Sequence, residues 1–501
     1  MNIISKYLNV SPKGGLIIVI LILLNVLSHS FSFRLDLTKD QRFTLSDGTK
    51  EILANLEEPL TIKAYMSKDL NPEFDNHRRD VLNMLEEYRE LAGGNIELVE
   101  INPTESPELE EEAKTEGIPS FQTGQQGRDK LEIQLAYFGL SFQYADQSDV
   151  IQVLQPNQPI EFPISRMIKK IAVLNKPKVA LLQGHGEPSL AGFSQAMKEV
   201  SVNYELVAFN FQDTAAGKLS DYAALVVLTP KDSMSPQELG QIQSYYQSGG
   251  KIFLGYTKGQ LSQSGQNSPP MFVAASQPIE SWLQSIGVTF EEKLIIDAKA
   301  GQIMVPQGPF QMPIQFHYFP IVEKFADHPI TDKLQGMVFQ FAAPIVYDGS
   351  GDYQPIAFTS EMSGTEDMPV FIDISKQWRE GDFTQAHLSM AGTITEGDNK
   401  MVIVSNGEFF YEGEGQQKQQ VSPDNINFFV NSLDWLTGNM ALMDLRNSGF
   451  SSAPIKKMEE SDVSFYKILN FIMPFLLILV YGFLRFQSNK SKKAKWKEMS
   501  L

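Results

Sequence analysis

The sequence predicts an α/β protein flanked by two membrane helices. Three observations predict it. Strand-like and helix-like hydrophobic periods alternate through most of the chain, as in sheets covered by helices. Two long apolar segments, 14–33 and 465–486, bracket that region, and lysines cluster after the second one.

No charge falls between Lys13 and Arg34, and the only charges within 465–486 are Lys467 and Arg485, near its ends. A bilayer core about 30 Å thick needs about 20 apolar residues, and both segments supply them. Pro474 is expected to kink the second. A cleaved leader is the alternative for the first, because Lys6 and Lys13 precede it; Ser28-His29-Ser30-Phe31-Ser32-Phe33 offers no Ala-x-Ala site. Lys490, Lys492, Lys493, Lys495 and Lys497 face only Glu498 and put tail 487–501 in the cytoplasm. Two spans then put residues 1–13 there too, with the body between the spans outside, in the periplasm of a bacterial inner membrane.

The net charge is −18, and both ends are basic, so the body is more acidic still. Such a surface repels nucleic acid and anionic headgroups. The chain has no cysteine, which removes disulfides, thiolate metal sites and thiol nucleophiles.

Ser46 or Asp47 is expected to cap a short helix through Leu56. Leu60–Met66 alternates like a strand, Asp75–Leu91 has helical period ended by Gly93-Gly94, and Ile96–Ile101 is a second strand. Pro107–Glu116 reads as an acidic helix, 122–127 as irregular, and 131–143 with 149–154 as a strand pair. Residues 34–163 in this order resemble a thioredoxin-like domain, with Gly117-Ile118-Pro119 resembling its cis-proline position. The Cys-x-x-Cys motif is absent, so no redox role follows.

Residues 164–176 read as a linker helix. Buried-type strands then alternate with helices through 177–440: strands at Val179–Leu182, Tyr204–Phe209, Ala223–Leu228 and Lys251–Tyr256, helices at Phe193–Val200 and from Ser235-Pro236 to Tyr246. This spacing predicts a parallel, doubly wound, Rossmann-like sheet. A helix over Pro278–Leu283 and a strand over Lys293–Ile296 follow. Residues 301–325 read as a loop or lid. Strands recur at 337–341, 354–359, 369–374 and 401–405. A helix over Asp424–Leu436, capped at Ser422 and ended by Gly438, precedes a polar linker over 441–464.

The most conspicuous motif is Gly184-His185-Gly186-Glu187, just after a strand, where such folds place ligands. These four residues are the candidate ligand site, through an anion, a metal or acid–base chemistry at His185 and Glu187. The structural alternative is a tight turn whose polar groups tie down the loop, and it is favoured. His29, His77, His185, His317, His328 and His387 are scattered, without metal-ligand spacing. No phosphate-binding loop or nucleophile elbow occurs, so ATP hydrolysis would belong to another subunit. Neither catalytic residues, cofactor nor metal are expected.

The order of Phe43-Thr44-Leu45-Ser46, Leu60–Tyr65, Gly184–Glu187, the segment Asn425–Leu436 and a terminal apolar helix resembles the gliding-motility-associated ABC-transporter family GldG, within the ABC-type auxiliary family. The resemblance implies a non-catalytic periplasmic subunit. Its implied partners are a multispanning GldF-like permease and a cytoplasmic GldA-like ATPase, in gliding motility and secretion. It also implies a glutamine-amidotransferase-like central fold, whose activity cannot carry over without cysteine. A free-standing solute-binding protein, or a hydrolase using His185 and Glu187, are the alternatives.

Overall fold

A computed structural model describes residues 45–443, with breaks at 69, 127–130, 157, 174, 264–269 and 308–309, together with Arg446 and scattered positions between 467 and 490. The chain divides into two compact units, one ending at Gly449 and one beginning at Phe450.

The first unit opens with α1 (Asp47–Ala54), β1 (Leu60–Met66), α2 (Pro72–Leu91), β2 (Ile96–Ile101) and α3 (Pro107–Thr115). Three caps start these helices where local chemistry dictates. Ser46, Asn71 and Ser106 accept from the backbone N–H groups of Thr49, Phe74 and Leu109 at 3.1, 3.1 and 3.3 Å. Each such cap is worth about 1 kcal/mol. Then come β3 (Phe121–Gln126), β4 (Leu131–Ala136), β5 (Phe138–Tyr144), β6 (Gln147–Ile151) and α4 (Glu161–Ala172). The sheet runs β2-β1-β5-β6, with β1 parallel to β2 and β5 antiparallel to both neighbours. One face buries Leu60, Ile62 and Ala64 against Val81, Leu85 and Tyr88 of α2 and Ile164 and Ile168 of α4.

Two expectations change here. The stretch expected to be irregular is β3, paired antiparallel with β4 from Phe121↔Ala136 to Gln126↔Leu131. Gly117-Ile118-Pro119 is a helix stop rather than a cis-proline site: the cis peptide bond among the described residues is Met368–Pro369. Gly117 (φ 85°) takes the left-handed position, and the N–H of Ile118 donates to the carbonyl of Ala113 at 2.9 Å. Pro119 follows where the helix cannot continue.

The larger region contains β7 (Lys178–Leu182), α5 (Ser194–Val200), β8 (Glu205–Phe209), β9 (Ala224–Leu228), α6 (Pro236–Gln247), β10 (Lys251–Gly255), β11 (Gly259–Ser262), β12 (Met271–Ala274) and α7 (Pro278–Ser285). It continues through β13 (Val288–Phe290), β14 (Lys293–Asp297), β15 (Ala300–Gln307), β16 (Phe310–Val322), β17 (Lys324–Phe325), β18 (Met337–Val338) and β19 (Ile345–Tyr347). The last elements are β20 (Asp352–Phe358), β21 (Ser363–Asp367), β22 (Val370–Phe371), β23 (Ser389–Glu396), β24 (Asn399–Val404) and α8 (Pro423–Thr437).

The main sheet runs β8-β7-β9-β10-β24-β23-β20-β17. Its first five strands are parallel, and β23, β20 and β17 extend it antiparallel, so it is mixed rather than all parallel. Both faces are covered. Val179 and Leu181 of β7 pack with Val200 of α5 and Phe429 and Leu433 of α8, while Ala180 and Leu182 pack with Ile242 and Tyr246 of α6 and Trp282 of α7. This explains the near-continuous apolar runs of β7 and β9.

Two further expectations are corrected. The expected loop or lid over 301–325 is the hairpin β15–β16. Segment 441–464, expected as a polar linker, begins packed on the body: Ala441 and Leu442 join the α2–β1 core, and Met443 is buried.

Among the described residues, no helix is long and apolar enough to cross a membrane. Segments 1–13, 14–33 and most of 487–501 lie outside the described residues. Of 465–486, the described positions are Lys467, Ile472, Met473, Ile478, Leu479, Tyr481, Gly482, Phe483, Arg485 and Phe486; all are helical, and their side chains are exposed.

Candidate functional site

The chain enters the five parallel strands at β7, adds β8 on one side and then β9, β10 and β24 on the other, which puts a topological switch between β7 and β9. Ligands of open α/β sheets sit outside the carboxyl ends at such points. Residues 183–187 leave β7 there. Gly184 (φ 115°) and Gly186 (φ 77°) take backbone conformations closed to most side chains. Between them, the carbonyl of His185 accepts from the N–H groups of Lys231 and Asp232, both at 2.7 Å. The loop after β9 is thereby pinned to the loop after β7.

The His185 imidazole is buried between two carboxylates. Its Nδ1 lies 3.2 Å from Glu187 Oε1 and its Nε2 3.4 Å from Glu238 Oε2. Glu187 also accepts from its neighbour's backbone, His185 N to Oε2 at 2.7 Å, and its side chain is wholly shielded from solvent. Glu238 belongs to the cap of α6: the backbone N–H and the Oγ of Ser235 donate to it at 2.9 and 2.8 Å, and Gln212 Nε2 at 3.0 Å. The backbone N–H of Ser235, against the cost of burial, holds this carboxyl at about 2.

This arrangement brings the four predicted residues together, but it is satisfied from within. Both ring nitrogens face carboxylates of the same chain, whereas a general base needs one aimed at a substrate proton. The geometry anchors two loops at the sheet's carboxyl edge. The other histidines are dispersed: His77 stacks on Phe138, His317 Nδ1 lies 2.7 Å from the Asp297 carbonyl, and His328 Nδ1 accepts from Ile330 N–H. His387 lies in a left-handed turn (φ 55°), and His29 lies outside the described residues. Among the described residues, no group of three or more His, Asp and Glu is placed to hold a metal ion.

Two features escaped the sequence reading. Glu238 carries a legible signal, the Ser-Pro-Gln-Glu capping box, but its meeting with His185 is a tertiary event. Thr229, at the end of β9, holds φ 38°, an outlier for a β-branched residue worth about 1–3 kcal/mol of strain. Its Oγ1 accepts from Thr257 N–H at 3.0 Å, and a Cβ on Gly407 would lie 1.9 Å from that oxygen. No sequence signal announces this, since Thr229 precedes a proline and would ordinarily be extended.

A second depression, of about 190 Å³, lies on the smaller sheet, lined by Thr61, Lys63, Glu116, Ser141, Gln143 and Ser148. Its charges are already paired: Lys63 Nζ lies 3.0 Å from Glu116 and 3.2 Å from Glu112, and the Glu116 hydrogen bond leads in raising the ammonium pKa.

Residues 176–436 match the family described as an ABC-type uncharacterized transport system, across more than half of the chain. The chain belongs to this family. In this ABC-type transport family member, the matched region spans the whole main sheet, the loop Gly184–Glu187 and α8 to Leu436. Residues 39–143 match a domain of unknown function. An uncharacterized protein of Borreliella burgdorferi is 22% identical over 443 residues, covering 87% of this chain and 83% of its own length. Among solved structures, the IFT52 N-terminal domain aligns at TM-score 0.36 with 13% identity, over 52% of this chain and 97% of that one. PurLQS from Thermotoga maritima aligns at 0.27 with 11% identity, over 52% and 100%. Scores this low carry no argument about fold or activity.

Proposed function

We propose that this protein is a non-catalytic accessory component of an ABC-type transport complex, anchored by apolar segments 14–33 and 465–486 with its body outside the cytoplasm. The family match over the main sheet carries this reading. Its partners are a separate ATPase and a multispanning, permease-like protein, of the kind the GldG resemblance implies with GldA and GldF; a gliding or secretion role is part of that resemblance. The closed state of the His185 cluster supports a structural use of the switch point. The order β2-β1-β5-β6 and the covered parallel strands support thioredoxin-like and Rossmann-like, amidotransferase-like readings of the two halves.

The segments leading to the two apolar stretches meet on the body. Gly48, in α1, lies so close to Ala441 that a Cβ on it would sit 1.7 Å from the Ala441 carbonyl oxygen. That contact supports a relay in which both membrane segments act together on the body. The test is purification of the full-length protein from its native membrane in mild detergent, followed by mass spectrometry. Co-recovery of a multispanning protein and an ATPase supports the reading; recovery alone, with the protein intact, rejects it. Separating either apolar segment from the body should abolish coupling with the body still folded, and unchanged transport would sink the relay.

A second reading, a ligand at Gly184–Glu187, is favoured by the position of that loop at the switch point. A small molecule that co-purifies with wild type but not with a folded His185→Ala/Glu187→Ala variant would support it. Loss of a hydrolytic activity in the same variant would instead support the hydrolase alternative.

A further inference from the structure

The hairpin β15–β16 is unusual for so acidic a chain. No Asp, Glu, Lys or Arg occurs between Lys299 and Glu323. The basal half of the hairpin is held firmly: Phe316 and Tyr318 are buried, with Phe319 and Phe341 packed around them, and the base of β16 pairs with β18. The distal half has no core of its own. Met304 is 56%, Phe310 74% and Met312 47% exposed, and Gln302 and Gln311 are exposed beside them.

The outer edge of β15 is also free. The sheet order is β15-β16-β18, so β15 is terminal, and among the described residues no backbone hydrogen bond closes its outer side. Natural edge strands are normally blunted by charge, bulges or cover, because an open edge is a template for another strand. This one has no charge. Its bulge lies at the base, between Ala300 and Gln302, leaving the distal part regular. Pro306 lacks an N–H and limits the template to Gly301–Val305.

We propose that β15 is a docking edge to which an extended, uncharged segment of the membrane-embedded transport partner adds as a strand, covering Met304 on one face of the hairpin and reaching over Phe310 and Met312 on the other. Strand addition draws affinity from main-chain hydrogen bonds and specificity from alternate side chains. Insertion into lipid is disfavoured, because hydrocarbon cannot satisfy an open sheet edge. A second copy of this chain is disfavoured, because it would bring two strongly acidic bodies together. The inference rests on the accessory-component reading for the partner's identity.

The test places a photoreactive benzoylphenylalanine at Met304, and separately at Phe310, of the full-length protein in its native membrane. Adducts mapping to one extended segment of the multispanning partner are expected. Adducts only with lipid, only with a second copy, or none while the partner still co-purifies, would overturn the docking edge and leave the accessory reading standing. Absence of any co-purifying multispanning protein would overturn both. A Met304→Lys/Phe310→Lys variant should lower partner recovery at least about tenfold with unchanged thermal unfolding; unchanged recovery would also overturn the docking edge.

Discussion

Asp434 and Arg446 form a buried ion pair, Oδ2 to guanidinium at 3.0 Å, with side chains 0% and 4% exposed. The other carboxylate oxygen accepts from Asn203 Nδ2 at 2.9 Å and Tyr204 Oη at 2.8 Å. Arg446 also donates to Asn431 at 2.6 Å. One carboxylate therefore joins α8, the approach to β8 and the segment that follows α8. Nearby, Lys169 of α4 donates to Asn439 at 2.6 Å, tying that same segment to the N-terminal half.

Removing one member of a buried pair leaves the other charge uncompensated. Asp434→Ala should cost about 3–5 kcal/mol in chemical denaturation, with faster amide exchange over 439–443. A cost under about 1 kcal/mol would mean the pair is not the fastening described here.

Gly48→Ala separates helix propensity from packing. In an unconstrained helix interior, alanine is the better residue by about 0.5–1 kcal/mol. Here its Cβ would meet the Ala441 carbonyl oxygen, so overpacking should reverse the sign and destabilise by about 1–3 kcal/mol. Stabilisation in a thermal melt would show that α1 and the 441 segment are not in this contact.

The switch-point loop is predicted to be an anchor. His185→Ala/Glu187→Ala should lower stability by about 1–3 kcal/mol, because the backbone N–H of residue 185 loses its carboxylate acceptor and the buried Glu238 loses its ring partner. Partner recovery at low temperature should be unchanged once the variant is shown folded by circular dichroism. Recovery that disappears from a folded variant would assign the loop to function instead.

His328 supplies a pH signature. Burial, ahead of the opposing charge of Asp327, pushes its pKa down to about 4 from the ordinary 6.5. The unfolded chain therefore binds this proton first, and the stability is present above about 6.5 and lost as pH falls towards 4. The full loss is roughly 3 kcal/mol. Asn at position 328 keeps an acceptor for the Ile330 N–H, so His328→Asn should flatten this part of the pH profile in urea titrations between pH 7 and 4.5. An equally steep profile in the variant would refute the assignment.

Much of the fold was legible because local chemistry decided it. Ser46, Ser106 and Ser235 start helices where their hydroxyls reach a free N–H, and the glycines after α2 and α8 stop them. Strand β1 was readable to the residue because its core-facing positions, Leu60, Ile62 and Ala64, keep period two. The hairpin β15–β16 was not legible: its prolines and Gly301 have low strand propensity, and only pairing of the two segments makes them strands. Residues 389–396 escaped for a related reason, since Ser389–Glu396 finds its place as an antiparallel neighbour of β24.

By itself, the sequence determined the α/β alternation, several helix caps and stops, the acidic charge and the position of Gly184–Glu187 after a strand, because each depends on residues close together in the chain. The tertiary structure alone decided that Glu238 would close over His185, that Asp434 would meet Arg446 and Tyr204, and that Gly48 would lie against Ala441. These pairs are joined by packing across long stretches of chain, and no local period or propensity encodes which distant side chain fills a given space.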